Sequence, residues 1–333
     1  MENRCPLCAS TRTAPFSPLG EGDGRSGEGY RVYGCGDCGV AFTWPRLDTA
    51  ETSDLYGDDY YSFRSTSLES LPLWGSAATA LDRALRLLRG RRSRLADLLE
   101  RLLFWPARNV PQAVPLFYPG RDVLDLGCGA GDQMALWRRV GRNVRGVDIS
   151  PRAAAEGGKR GLDIFTGEIW EAGFAAGSFD IVYANQVIEH TGDTHATLRE
   201  IWRVLRPGGV LIVGVPNTAN RFLAVFKSGW AFLQIPFHFL HFDPASLCAA
   251  LARDGFFIRK VYTITPAAGL LESLARMFPG FGRVYADCHL KAPCIAAYVL
   301  LSLLLLPCNL GLRGDLLYVI AVKGGQSPCP GPR

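Results

Sequence analysis

Val123-Leu124-Asp125-Leu126-Gly127-Cys128-Gly129-Ala130-Gly131-Asp132 is the stretch that decides the fold of this chain. An apolar run that ends in a carboxylate passes through three glycines into a helical pattern, as at the first strand-to-helix turn of an open α/β sheet. At such a turn the backbone approaches a ligand closely, and the N–H groups of the helix N-terminus point towards it. The spacing is G-x-G-x-G, so the dinucleotide fingerprint, which requires glycine at position 132, is not met.

A second β-rich run, Val144-Arg145-Gly146-Val147-Asp148, also ends in an acid. An acid about 20 residues after the glycine turn accepts hydrogen bonds from ribose hydroxyls in nucleotide-binding α/β folds. The alternative for Asp148 is an acid at a helix N-terminus. Its place at the end of a strand favours the ribose role.

Strand and helix patterns alternate through the rest of the chain. Strands are predicted near 122–126, 143–148, 163–166, 179–184, 209–215, 256–264 and 315–322, and helices near 131–140, 151–160, 193–206 and 244–254. This alternation predicts an α/β fold, with a parallel sheet covered by helices on both faces and ligands at the carboxyl ends of its strands.

The ordered set of motifs resembles the class I S-adenosylmethionine-dependent methyltransferases, over about 120–323. The motifs that add to the glycine turn and Asp148 are Gly167-Glu168, Ser178-Phe179-Asp180-Ile181-Val182, Asn185-Gln186-Val187-Ile188-Glu189-His190, Leu205-Arg206-Pro207-Gly208-Gly209 and Val213-Gly214-Val215-Pro216-Asn217. The last three resemble the subgroup that includes ubiquinone-pathway O-methyltransferases. The resemblance implies a Rossmann-like sheet of seven strands, with the last strand antiparallel, and S-adenosylmethionine as the cofactor.

The resemblance also implies a set of cofactor-binding residues. They are Asp125, Gly127, Cys128, Gly129, Asp148, Ile149, Glu168, Ile169 and Gln186. The glycines would line the amino-acid and ribose end, with Asp125 behind them, and Asp148 would accept both ribose hydroxyls. Glu168 and Ile169 would flank the adenine, while Gln186 would touch the methionyl part. Because the cofactor carries its own leaving group, the protein mainly has to hold an acceptor in line with the methyl group.

His190 is the candidate general base. It follows the fourth strand at the edge where an acceptor must sit, and imidazole titrates near neutral pH. The alternative is that Glu189-His190 only begins the next helix or packs under a lid. His238, which lies among phenylalanines, is better explained as a core histidine.

Two C-x-x-C pairs, Cys5/Cys8 and Cys35/Cys38, lie in residues 1–45. Each pair can form a tight knuckle, and two knuckles supply four thiolates for a tetrahedral ion. A structural zinc ribbon is predicted; a redox pair and a rubredoxin-like iron site are the alternatives. Many bacterial methyltransferases of this type carry a similar ribbon followed by a tyrosine-rich segment, here residues 55–61.

Composition indicates a globular protein: the chain has 333 residues, of which 48% are hydrophobic and 20% charged. The start has no apolar signal region and the ten cysteines are sparse, so a cytoplasmic location is expected. The net charge is +5, and residues 76–108 hold eight arginines against three acids (8 − 3 = +5). The remainder is formally neutral, which argues against nucleic acid as a partner.

Residues 46–119 are predicted as a linker that contains an arginine-rich amphipathic helix at 76–105, and residues 324–333 as a tail. Apolar inserts are predicted at 221–241, which resembles a lid, and at 266–314. The run 295–306 has twelve residues, all apolar except Ser302, and is too short for the roughly 20 that span a bilayer. Each stretch alone is better explained as core or solvated surface. Together they could rest on an anionic membrane and take a lipid-linked acceptor.

The predicted function is methyl transfer to a small-molecule or lipid-linked acceptor, with a hydroxyl preferred. The alternative is an RNA-base methyltransferase with a zinc module. Against it, Asn185-Gln186-Val187-Ile188 lacks the Asn-Pro-Pro-aromatic signature of many base-amino methyltransferases. A third class, a cofactor-binding module without catalysis, is disfavoured by the intact glycine turn and its acids.

Overall fold

The computed structural model describes residues 3–17, 19, 29–46, 84, 115–278, 280–281 and 300–324. Several predicted features lie outside these residues: the tyrosine-rich segment 55–61, the arginine-rich helix 76–105 apart from residue 84, residues 295–299 of the leucine run, and the tail from 325 onward.

The described residues form strands and helices in an alternating order after a short N-terminal β-region. The strands are β1 Thr13–Pro15, β2 Arg31–Cys35, β3 Ala41–Trp44, β4 Asp122–Leu126, β5 Asn143–Asp148, β6 Ile164–Thr166, β7 Phe179–Asn185, β8 Leu205–Pro216, β9 Leu240–His241, β10 Phe256–Ile264 and β11 Leu316–Lys323. The helices are α1 Asp132–Arg139, α2 Pro151–Lys159, α3 Thr194–Val204, α4 Leu223–Phe226, α5 Pro244–Arg253 and α6 Ala267–Met277. Short 3₁₀ turns are Ile188–His190, Lys227–Gly229 and Leu306–Leu312.

The large sheet has seven strands in the order β10-β11-β8-β7-β4-β5-β6. Strand β11 runs antiparallel to both β8 and β10, while β4 pairs in parallel with β5 and β7. The predicted Rossmann-like methyltransferase fold is therefore confirmed. The chain order reverses at β4, and in such sheets the crevice at the carboxyl end of the switch strand is where ligands bind.

Both faces of the large sheet are covered, so its central strands are continuous apolar runs. Residues 181–184 of β7 are buried throughout. One face packs with α3 and α5 in a core that includes Leu198 and Leu251, and the other packs with α1 through Met134 and Trp137. These two cores hold β4 rigidly, and with it the turn that follows it.

Strand β8 begins at Leu205, earlier than the predicted 209–215. Leu205 already has an extended backbone, which ends α3 at Val204. The physical reason is Arg206, which bonds Asp180 at 2.5 Å and Asp122 at 2.8 Å and so holds this segment beside the sheet.

The small sheet has four strands in the order β1-β2-β3-β9. Its first three strands come from the cysteine-rich region, and β9 comes from the end of the predicted insert 221–241. Ala41 pairs with His241 and Phe42 with Leu240. The N-terminal region is thus joined by strand pairing to the insert above the large sheet, a contact that the sequence does not predict. Among the described residues, no helix is long and apolar enough to cross a membrane.

Candidate active site

The turn after β4 depends on glycine at three positions. Gly127, Gly129 and Gly131 have φ of 66°, 53° and 82°, a region that side chains disfavour. A Cβ atom on Gly127 would lie 2.4 Å from Cγ2 of Val187, and one on Gly131 would lie 2.4 Å from Cδ1 of Leu162. The turn therefore packs tightly on its protein side and leaves its outer side to a ligand.

Asp148 ties this turn to the end of β5. Its Oδ2 accepts a hydrogen bond from the Gly129 N–H at 2.8 Å, and its Oδ1 accepts one from the Ser150 N–H at 2.9 Å. Burial raises the pKa of Asp148, while these two N–H groups act in the opposite direction. Each carboxylate oxygen keeps a further lone pair, which can accept a hydroxyl of a ribose.

Asp125 lies behind the turn, as expected. It is buried, and among the described residues its Oδ2 has no hydrogen-bond partner. Burial, followed by the charge of Asp148, raises the pKa of Asp125 well above its ordinary value. A buried carboxyl group without a partner is costly, and a cationic ligand at this edge would compensate it.

The segment after β6 continues this edge. The Gly167 N–H bonds the Asp148 carbonyl at 2.9 Å, which places Glu168 beside Asp148. Burial, and then the neighbouring Glu171, raise the pKa of Glu168. The side chain of Ile169 lies in the main core, whereas Ile149 is 51% exposed. Of the two isoleucines expected at the cofactor, only Ile149 therefore has a side chain exposed for contact with a ligand.

Gln186 has a left-handed backbone conformation, which residues other than glycine seldom adopt. It has a φ of 56°, its N–H bonds the Gly214 carbonyl at 2.7 Å, and within the described part of the chain its buried Nε2 has no partner. Cys128 packs against the second core, and burial raises the pKa of its thiol. Cys128 is therefore held as a thiol and not as a reactive thiolate.

His190 ends the 3₁₀ turn that follows β7. Its Nδ1 donates a hydrogen bond to the Phe237 carbonyl at 2.9 Å, and its ring meets that of His238 edge to face at 4.5 Å. Burial lowers the pKa of His190 to about 4. The imidazole is therefore neutral near pH 7, and the Nδ1–H bond leaves the lone pair on Nε2.

Glu189, His190 and His238 form a buried cluster that the sequence does not predict, and the ring of His241 lies 6.4 Å from that of His238. Glu189 exposes no surface, both its carboxylate oxygens lack a partner among the described residues, and burial raises its pKa to about 8. Ligand atoms of Glu189, His190 and His238 lie within 4.8 Å of one another. The available signal was the sequence Glu189-His190 at the end of a strand.

The four N-terminal cysteines come together as predicted. The Sγ atoms of Cys5 and Cys38 lie 3.6 Å apart and those of Cys8 and Cys35 lie 3.5 Å apart. These separations are far longer than a disulfide bond and close to the roughly 3.8 Å between sulfurs that share a tetrahedral zinc. The hydrogen bond from Cys38 lowers the pKa of the Cys5 thiol, which favours its thiolate form.

Thr43 connects the cysteine region to the histidine cluster. Its N–H bonds the Phe239 carbonyl at 3.0 Å, and its hydroxyl donates to the His238 carbonyl at 2.9 Å. The same hydroxyl lies 2.9 Å from Nε2 of His241, which must then be the donor. The Phe239 N–H in turn bonds the Glu189 carbonyl at 2.9 Å. A chain of hydrogen bonds therefore runs from β3 to the end of β7.

Comparison with known proteins agrees with this geometry. A family model described as a methyltransferase domain matches residues 124–213, which run from β4 into β8. The chain is 36% identical over 159 residues, 47% of its length, to a Mycolicibacterium smegmatis protein named "Probable S-adenosylmethionine-dependent methyltransferase". It is 38% identical over 113 residues, 33% of its length, to trans-aconitate 2-methyltransferase of Deinococcus radiodurans. It is 35% identical over 144 residues, 41% of its length, to ubiquinone biosynthesis O-methyltransferase of Caulobacter vibrioides.

A solved structure of an S-adenosylmethionine-dependent methyltransferase from Archaeoglobus fulgidus covers 69% of this chain and 100% of its own, with 19% identity and a TM-score of 0.45. The chain matches 60%, 43% and 56% of the lengths of the three relatives above. The chain therefore spans only part of the length of these relatives. Its residues 124–213 are similar to a methyltransferase domain, and they include the glycine turn after β4.

Proposed function

We propose that the protein transfers a methyl group from S-adenosylmethionine to a hydroxyl of a small-molecule or lipid-linked acceptor. The observation that carries the proposal is the hydrogen bond from the Gly129 N–H to Asp148. This bond fixes the glycine turn beside the carboxylate at the end of β5. When bound, S-adenosylmethionine supplies an electrophilic methyl group on a sulfonium.

The residues present fit this cofactor. Asp148 has lone pairs for two ribose hydroxyls, and Ile149 and Glu168 lie at the same edge for the adenine. Asp125 and Gln186 each keep a buried polar atom without a partner in the described chain, and the polar methionyl end of the cofactor would satisfy them. These roles follow the resemblance and stay part of the proposal.

We propose that acceptor activation occurs at His190. The Nε2 lone pair of the neutral imidazole is able to take a proton from an acceptor hydroxyl. The relative named ubiquinone biosynthesis O-methyltransferase supports a hydroxyl acceptor. No observation favours the RNA-base alternative.

The test is methyl transfer from a labelled donor to a prenylated catechol, a lipid-linked sugar and a transfer RNA. Label in either of the first two supports the proposal. Label in the RNA alone would replace it with the RNA-base alternative.

We also propose that Cys5, Cys8, Cys35 and Cys38 bind a structural zinc. The sulfur separations of 3.5 and 3.6 Å support a tetrahedral set. Zinc in this set would hold β1–β3 together, because so short a region has little core of its own.

Finally, we propose that the protein rests peripherally on the inner face of a membrane. Exposed apolar side chains support this: Phe278, Leu300, Leu303, Leu304 and Leu310. They lie near the predicted lid, since the Ala267 N–H at the start of α6 bonds Ser302 and Ser273 of α6 bonds the Ala231 N–H. A lipid-linked acceptor would then reach the site without leaving the bilayer.

A further inference from the structure

Three buried side chains converge where β7 ends below the segment that leads into β9. Glu189, His190 and His238 each offer one ligand atom, and these atoms lie within 4.8 Å of one another. Glu189 is wholly buried, and in the described chain neither of its carboxylate oxygens has a partner, nor does Nδ1 of His238. Burying such groups without compensation costs several kcal/mol, roughly. The cluster is thus incomplete without a further positive group.

The orientation of the rings is fixed from outside the cluster. The Phe237 carbonyl accepts from Nδ1 of His190, so Nε2 carries the lone pair. The Phe239 N–H holds the Glu189 carbonyl, and Thr43 holds the carbonyl of His238. A histidine that donates its other N–H to a backbone carbonyl, on a rigid support, is the arrangement found around protein-bound metals.

Two simpler explanations of the cluster do not fit. An ion pair would satisfy Glu189, but among the described residues no lysine or arginine bonds its carboxylate oxygens. A protonated Glu189 that donated to a histidine would satisfy both groups, but in the same residues no histidine bonds either oxygen. A cation between the carboxylate and the imidazoles removes both difficulties.

We propose that Glu189, His190 and His238 bind one divalent cation of the manganese, iron or zinc type. Two imidazoles and one carboxylate suit these ions and leave coordination positions open. With bonds of about 2.0–2.2 Å, neighbouring ligand atoms lie about 3–3.5 Å apart. The widest separation, at most 4.8 Å, would therefore have to shorten by at most about 1.3–1.8 Å when the ion binds.

The role of this ion rests on the proposed function. An acceptor oxygen in an open position would lose its hydroxyl proton more readily, because a bound cation lowers the pKa of such a group. The proton passes to solvent water, the oxygen forms a bond to the methyl carbon, and the carbon–sulfur bond breaks with its electron pair left on sulfur. His190 would then be a ligand, and the acceptor would need no side-chain base.

The test is Mn²⁺ binding by the full chain, followed through the loss of the free-ion electron paramagnetic resonance signal. Mn²⁺ suits imidazole and carboxylate, whereas the four-cysteine cluster prefers softer ions. We expect about one site per chain, weakened at least tenfold in Glu189→Gln and in His238→Asn. Glu200→Gln is the matched control, because Glu200 is paired with Arg203 on α3, outside the cluster.

Calorimetry with S-adenosylhomocysteine on the same samples reports whether each variant is folded and tests the proposed function separately. If Glu189→Gln does not fold, His238→Asn gives the same readout. Wild-type protein that binds no Mn²⁺ would overturn the proposal, as would unchanged binding in a folded variant. Mn²⁺ binding without methyl transfer would support the site and remove only its role.

Discussion

Asp148 is the residue that we propose binds the ribose of the cofactor, and both its oxygens already accept backbone N–H groups. Asp148→Ala should remove two charge-assisted hydrogen bonds to the ribose and weaken cofactor binding by an estimated ~2–3 kcal/mol. Calorimetry measures this, with Asp163→Ala as the control because Asp163 forms an exposed pair with Arg145. Wild-type affinity in Asp148→Ala would contradict the assignment of the ribose site.

We propose that His190 acts in acceptor activation, as a base or as a ligand, and that the cofactor binds to a separate set of residues. His190→Gln should lower turnover by roughly 10²–10⁴ while cofactor affinity changes little. Steady-state kinetics and calorimetry check the two parts. His195→Gln is the control, since His195 bonds Asp254 and the Leu7 carbonyl instead. Undiminished turnover would return His190 to a packing role.

Asp315 is a buried acid that links β11 to the insert. Its Oδ1 accepts from Nε1 of Trp230 at 2.9 Å, and burial raises its pKa to about 7. The folded state holds this proton more tightly than the unfolded state, so the group stabilises the fold below about pH 4 and loses that contribution as pH rises to about 7. Asp315→Asn does not titrate. Denaturant unfolding measures the free energy of unfolding of both proteins. The value for Asp315→Asn minus that for wild type should rise by roughly 2–4 kcal/mol between pH 4 and pH 8. If this difference did not depend on pH, the pKa of Asp315 would be the same in the folded and unfolded states.

At the scale of elements, the pairing of β3 with β9 joins the region of the four cysteines to the segment that carries His238 and His241. In protein purified without added metal the four-cysteine cluster should hold close to one zinc per chain, and Cys35→Ser should lose this zinc. Because Thr43 holds the backbone of His238, the loss should also lower turnover. Cys308→Ser is the control, since Cys308 lies in the 3₁₀ turn Leu306–Leu312 and not in the small sheet. Full metal content in Cys35→Ser would show that the knuckles do not form the site.

At the scale of the whole molecule, the exposed leucines and the arginines at 83–108 are expected to act together on an anionic membrane. Sedimentation with phosphatidylglycerol vesicles should be salt-sensitive, with up to about 1 kcal/mol per well-placed arginine. Leu303→Asp, and Arg91 and Arg92→Glu, should weaken it, whereas Ala155→Asp on α2 should not. Wild-type protein that stays in the supernatant at low salt would indicate a soluble acceptor.

Much of the fold was predictable because its causes are local. The three glycines are required by backbone angles that other residues avoid, and Asp148 ends a strand that its own β-rich sequence specifies. The paired C-x-x-C spacing likewise brings four thiols together through short turns. The seven strands and the antiparallel β11 followed from the family resemblance, and the large sheet shows both.

Tertiary structure alone decided the rest. Thr43 and His238 are 195 positions apart, and their bond exists because the insert folds back across the sheet to pair with β3. The sequence indicates for Glu189 only the start of a helix or packing under a lid, and for His238 a position in the core. Their convergence depends on how the insert closes over the end of β7, which no local pattern encodes. The burial that shifts their pKa values is likewise a property of the packed molecule, because it comes from the loss of solvent around them.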